Sequence, residues 1–144
     1  MPPPARKDPF TAQHFRIEIN GLTAAGFVSC TGLAAETEVI DYRLGNDKTP
    51  MRKLPGLHKF TNVTLKRGYT ADRQLWDWYK GVLDGSVQRR SISIVLTDDA
   101  GIDLLRWNVH NAWPMKYEGP ALNASSNDIA METIELAHEG FEFA

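Results

Sequence analysis

The sequence has a single cysteine, Cys30, and so cannot form an internal disulfide. One thiol suits synthesis in a reducing compartment, with burial as a small apolar residue as its expected role. No uncharged run approaches the roughly 18 residues needed to cross a bilayer. The opening MPPPARKDPF lacks the apolar centre of a secretory signal, so the expectation is synthesis in cytosol without stable membrane insertion. Without a secretion route, the glycosylation-like triplets at Asn62 and Asn123 carry no meaning. An excess of basic charge is also missing: the formal net charge is −2 and the pI about 6.1, which gives no global argument for nucleic acid or an anionic membrane.

Signatures of reaction chemistry are equally scarce. The four histidines, His14, His58, His110 and His138, are dispersed, with no His-Glu-x-x-His and no cysteine pair, so no familiar zinc site is expected. His138, at the end of an alternating segment, fits a residue satisfied by hydrogen bonds. There is no Gly-x-Ser-x-Gly elbow, no Gly-x-x-x-x-Gly-Lys and no Gly-x-Gly-x-x-Gly. The acid pair Asp98–Asp99 sits in a turn, and LKRGY is only one minimal unit of a single-strand nucleic-acid binder. These absences predict no enzyme, no cofactor and no metal.

What is present is the composition of one domain: 144 residues, 42% hydrophobic and 24% charged. Residues 1–11 are proline-rich and predicted to be a flexible arm, with a single domain over 12–144. Charge is unevenly placed. Ten basic residues lie between Lys48 and Arg90 against three acids, whereas the six charged residues after Lys116 are all acidic. The chain could therefore present unlike ends to copies of itself, or simply two solvated faces.

Period-two alternation predicts strands in HFRIEI, with Phe15, Ile17 and Ile19 on one side, then in AGFVSCTG and ETEVIDYRLG. In the last of these Val39 and Ile40 point to opposite faces, so both faces are expected to be covered. GNDKTPMRKLPG, residues 45–56, has two prolines and no period, and reads as a loop. At about a dozen residues it exceeds the usual connection and is a candidate contact arm. KFTNVTLKRG resumes alternation. RRSISIVLTD and IDLLRWNVHNAW, joined by DDAG, predict a hairpin. WPMKYEGPAL, with its prolines, reads as irregular or edge-like, and DIAMETIELAHEGFEF is ambiguous between helix and strand.

Residues 70–85, TADRQLWDWYKGVLDG, predict the one helix, with Thr70 as N-cap, Asp72 in the first turn and Gly85 as the stop. At 100° per residue Ala71, Leu75, Trp78 and Val82 form its core stripe. Trp76 and Leu83 fall on a shoulder outside that stripe. A wet tryptophan forfeits about 4 kcal/mol at most, so either a loop of this chain or a neighbouring subunit is expected to cover it. About seven strands and one helix give a mainly β domain with a sandwich or barrel core.

Three long motifs in order, RKLPGLHKFTNVTLKRGYTADRQLWDWY, RWNVHNAWPMKYEGPALNA and ETIELAHEG, closely resemble the tail tube (inner tube) protein family of contractile phage tails and extracellular contractile injection systems, which is related to the type VI secretion tube protein. The likeness spans Asp8 to the C-terminus. It implies two packed β-sheets flanked by one helix, and strand rather than helix for the ambiguous C-terminal segment. It implies homo-hexameric rings stacked into a tube inside a sheath, ending on initiator or baseplate and terminator proteins, with a cargo effector or DNA in the lumen. Such a particle is made in a bacterial or archaeal cytoplasm and works as a virion tail or injection device. By the same resemblance, Arg52, Lys53 and Leu54 are candidates for contact between rings, and Trp76 with Leu83 for contact with another protomer. A tube initiator or baseplate-adaptor paralogue is the alternative within the family, and a monomeric β-barrel ligand-binding module the alternative outside it.

Overall fold

The computed structural model describes residues 8–43, 45 and 52–144; the expected arm over residues 1–11 and the middle of the 45–56 segment lie largely outside these described residues. Among them are nine strands and one helix: β1 Phe15–Ile19, β2 Phe27–Thr31, β3 Ala35–Tyr42, β4 Arg52–Phe60, β5 Val63–Gly68, α1 Gln74–Leu83, β6 Arg90–Thr97, β7 Asp103–Glu118, β8 Met131–Ala137 and β9 Phe141–Phe143. Seven strands share one ladder in the order β1-β6-β7-β8-β5-β2, with β9 also on β7, while β3 and β4 form a separate two-stranded sheet.

The long strand β7 organises this ladder. Its first half pairs with β6 and β9, its second half with β8. The change of partner falls between Ala112 and Trp113, just past Asn111, which has φ 52°, a left-handed conformation that asparagine tolerates better than most side chains. The β6–β7 register slips beside it, between Arg90 and Ile92, as a bulge does when it bends a strand. One strand thus serves two packed layers.

The core lies between them. Ile17, Ile19, Val63, Leu65, Ile92, Ile94, Val109, Ile134 and Leu136 are all buried, and Leu75 and Trp78 of α1 close it from the side. The alternation expected in β1, β5, β6 and β8 is what this burial requires. One addition is Val95, on the opposite face of β6 and fully buried. It pairs laterally with Arg16 and Arg106, whose ion pairs with Glu18 and Asp103 bridge that face.

The helix begins later than its sequence signals. Thr70 is not the N-cap: it accepts from the Asp72 amide, and the Asp72 carboxylate accepts from the Gln74 amide, so the first helical turn starts at Gln74. Its end is as expected. Gly85 has φ +85°, and the amides of Gly85 and Ser86 bond to the carbonyls of Val82 and Gly81, the double closure that satisfies a helix C-terminus.

Two predicted irregular segments are strand. The 45–56 loop is corrected over 52–56, which is the start of β4, and WPMKYE is the second half of β7. Pro114 is accommodated because, among the described residues, 113–118 of β7 pair with a strand on one edge only, so a missing N–H need cost no ladder bond. Gly32 is an enforced glycine: at φ +100°, a Cβ there would fall 2.0 Å from the Asn62 carbonyl oxygen.

Candidate assembly surfaces

The β3–β4 hairpin is an arm rather than part of the core. Every residue of β3 is exposed, including Val39 at 61% and Ile40 at 52%, and on β4 Leu57 is 74% exposed. The covering expected for Val39 and Ile40 is therefore not supplied by the described residues. An isolated two-stranded ribbon is marginal in water, and apolar side chains on both its faces mark a surface awaiting a partner. Charge is ordered along it: Glu36 stands opposite Lys59 and Asp41 opposite Lys53 in the register. Arg52, Lys53 and Leu54 lie in consecutive register opposite Tyr42, Asp41 and Ile40, at the end of the ribbon where β3 finishes and β4 begins.

The arm is rooted at its base. Phe60 packs edge-on against Phe141 at 5.3 Å between centroids and contacts His138 at 6.0 Å. His138 donates from Nε2 to the Thr61 carbonyl at 2.8 Å and accepts at Nδ1 from the Gly140 amide at 3.0 Å. Both ring nitrogens are used, which is the satisfied role expected for this histidine. No group of three or more potential metal ligands occurs among the described residues.

The two tryptophans of α1 part as their spacing requires. Trp78 is buried and donates from Nε1 to the Gln88 carbonyl at 2.8 Å, with the Arg90 guanidinium over its ring. Trp76 is half-buried, edge-on to Tyr117 of β7 at 5.3 Å and near Tyr79 at 6.1 Å. Part of the shoulder is thus covered from within the chain. Leu83 is not; it is 61% exposed.

Beneath Trp76 lies a polar cluster that the sequence did not announce. Arg67 and Glu132 are 3% and 2% exposed and form a direct ion pair. Tyr117 donates to the other Glu132 oxygen at 2.6 Å, and Arg67 reaches the Asp72 carboxylate and carbonyl, each at 3.2 Å. Burial first, then the hydrogen bond to Glu132, raises the Tyr117 hydroxyl well above its ordinary range. The available signal was parity, since Arg67 follows Val63 and Leu65, and Glu132 precedes Ile134 and Leu136, on core-facing positions. Arg67 and Glu132 therefore drop out of the basic and acidic poles read from the sequence. LKRGY, its arginine buried, offers no single-strand binding unit.

The outward face of the β1–β6–β7 layer carries a network of ion pairs. On β1 and β7, Arg16 forks onto Asp103 at 2.6 and 2.9 Å and bonds Glu18 at 3.0 Å, while Arg106 bonds the other Glu18 oxygen at 3.0 Å. These guanidinium partners hold the Glu18 and Asp103 carboxyls below their usual range. Cys30 packs against the core, and burial pushes its thiol up to about 11.

This architecture matches known proteins. The family model described as T4-like virus tail tube protein gp19 matches residues 11–142. A chain in the cryo-EM structure of the extended sheath–tube complex of an extracellular contractile injection system, PVC, is 32% identical over 94% of this chain and 91% of that one, with a TM-score of 0.84. A chain in the PVC sheath/tube terminator structure is 32% identical over 97% and 99%, with a TM-score of 0.87. Hcp1 from Flavobacterium johnsoniae, 12% identical over 90% of this chain and 93% of that one, shares the fold at a TM-score of 0.56. Comparison of the sequence with curated proteins gives no significant match.

Proposed function

The chain belongs to the T4-like virus tail tube protein gp19 family, and from that premise we propose that six copies close into a ring and that the rings stack into a hollow tube driven by a contracting sheath through a target envelope. It is a structural tube subunit of a contractile injection particle or phage tail, not an enzyme. Synthesis in a bacterial or archaeal cytoplasm, a single domain over 12–144 preceded by an arm, and a lumen that holds or passes cargo belong to the same reading. So do the partners: sheath, baseplate or initiator, and terminator.

The observation that carries it is an unclosed sheet. The layer formed by the second half of β7 with β8, β5 and β2 ends at β2 on one side. On the other side it ends at residues 113–118 of β7, which among the described residues pair with β8 alone. A lone subunit leaves backbone donors and acceptors wet along both margins, an invitation to pairing. Joining one margin of each copy to the other margin of the next is a heterologous contact, which closes into a ring when the rotation permits. The hairpin arm, with Arg52, Lys53 and Leu54 near its end, then reaches the adjacent ring, and Leu83 with the outer side of Trp76 meets a neighbouring protomer.

Negative-stain microscopy of the purified protein tests this. Rings or stacked tubes are the expected result; concentrated, folded protein that stays monomeric in solution and in the native particle overturns it. A second reading, a paralogue at the tube's end, draws on the equal 32% identity to a chain of the sheath/tube terminator complex. Immunogold labelling of particles separates the two, since a main tube subunit is labelled along the whole exposed shaft and a paralogue at one end only.

A further inference from the structure

Each of the four histidines meets a partner whose donor or acceptor role can be read. His14 lies 3.0 Å from the Asp99 carboxylate, and His110 lies 3.1 Å from that of Glu142. A proton added to either ring strengthens those contacts. His58 shares a 2.8 Å bond with the Thr37 hydroxyl, which rotates to donate or accept. His138 differs. Its Nδ1 faces the Gly140 amide at 3.0 Å, a group that can only donate, and its Nε2 faces the Thr61 carbonyl at 2.8 Å, a group that can only accept. That pair of partners fits one species, the neutral ring with its proton on Nε2. A second proton, on Nδ1, sets one N–H against another.

This ring stands where the hairpin arm joins the sandwich. It packs beside Phe60 at the end of β4 and Phe141 of β9, at 6.0 and 6.3 Å between centroids. The two stems of the arm are tied to each other by the Thr61 amide on the Ala34 carbonyl at 3.1 Å. The bond from His138 to the Thr61 carbonyl then fastens the joined stems to the end of β8. Charged side chains on the surrounding elements are engaged elsewhere. Glu139, in the turn after β8, accepts from Asn111 at 2.7 Å, Glu142 of β9 meets His110 of β7, and Lys59 of β4 stands opposite Glu36. Among the described residues no carboxylate forms an ion pair with His138, so a charge there gains none.

Resting on the reading of the arm as the contact between rings, we propose that His138 is an acid-released latch for the β3–β4 arm. The neutral ring holds the root above the range in which an unperturbed imidazole takes its proton, about pH 6.5. As pH falls through that range, the bond from the buried Gly140 amide is lost, and burial keeps water from replacing it. Tilted packing beside two phenyl rings returns less to the cation than the stranded amide costs. The ring swings out, the Thr61 carbonyl loses its donor, and Phe60 loses one of its two aromatic neighbours. The arm pivots on its remaining stem contacts, and stacked rings separate while each ring stays closed.

Three measurements test the proposal. In a Cys30→Ala background, Leu57→Cys on the exposed arm carries a nitroxide label, and its mobility is read in the unassembled subunit at about pH 7.5 and pH 5.5, with His138 and with His138→Gln. Glutamine keeps a donor for Thr61 and takes no proton. The expected result is tumbling about three-fold or more faster in acid with His138 and unchanged with glutamine. Mobility that ignores pH, or that rises equally in both chains, overturns the latch. Imidazole nitrogen chemical shifts need no variant: the Nε2–H form of His138 at the higher pH supports the proposal, and the Nδ1–H form or the imidazolium overturns it. Tube length in micrographs from the same two buffers reads the consequence, with tubes about three-fold or more shorter in acid for His138 and unchanged for His138→Gln. An arm released in acid beside tubes of unchanged length upholds the latch and removes the arm from the contact between rings.

Discussion

The phenol of Tyr117 donates a hydrogen bond to Glu132 at 2.6 Å, and the outer side of the same ring carries Trp76. A buried carboxylate and a half-buried indole are thereby held by one residue. Glu132→Ala leaves the buried Arg67 with only its 3.2 Å contacts to Asp72, which should cost about 3 kcal/mol. Tyr117→Phe keeps the packing and removes one hydrogen bond to a charged group, a loss of about 1.5–3 kcal/mol. Urea unfolding of both variants checks the order.

The same tyrosine sets an alkaline limit. Its folded-state hydroxyl titrates above the unfolded value of 10.0, so its contribution is fully present below that pH and declines as pH rises past it. Unfolding followed from pH 8 upward should show a loss in the wild type that is smaller in Tyr117→Phe. Equal alkaline slopes in the two proteins contradict the assignment.

Asn111 should resist β-branched replacement. Asn111→Val places a branched side chain at φ 52° and removes the 2.7 Å bond to Glu139, with an expected loss of about 2 kcal/mol or more. Asn111→Gly keeps the conformation accessible and should cost less than half as much. Thermal melts of the two variants measure the difference.

Leu83 and Trp76 should separate assembly from folding. Leu83→Ala removes an exposed side chain and should leave monomer stability within about 0.5 kcal/mol while weakening rings. Trp76→Ala also loses its contact with Tyr117, so it should lower subunit stability by about 1–2 kcal/mol as well. Chemical denaturation beside ring counts in micrographs reads both effects.

For the arm, Leu54→Glu with Leu57→Glu alters side chains that are 46% and 74% exposed, so the subunit should fold and rings should form. Stacking is expected to fail, giving single rings. Deleting residues 51–55 should do the same, and tubes of unchanged length would remove the arm from the inter-ring contact.

Cys30 should be a slow thiol. With its acidity pushed up to about 11 by burial, almost none is thiolate near pH 8, so alkylation of folded protein should lag far behind that of urea-unfolded protein. A stopped thiol titration in the two states checks it.

The sandwich was legible because one face of each of its strands is buried, which writes period two into β1, β5 and β8. The arm was legible only in β3, read as a strand from ETEVIDYRLG; the start of β4 was not, since a ribbon wet on both faces imposes no period, and Pro55 sits opposite Val39 where the β3–β4 register shifts. Proline misled again at 114, where the strand has only one paired edge. Spacing in α1 told Trp78 from Trp76 but gave no hint that Tyr117, more than thirty positions later, would cover the latter. Arg67 and Glu132 stand on core-facing parity, yet only the β5–β8 register sets them directly opposite each other and reveals them as partners.

Because β7 is continuous through both layers, force applied to either sheet passes to the other along covalent bonds as well as packed side chains. The layers cannot shear apart as separate plates. A rod built from such units, thrust end-on, would yield at the seams between copies before its individual bricks delaminate.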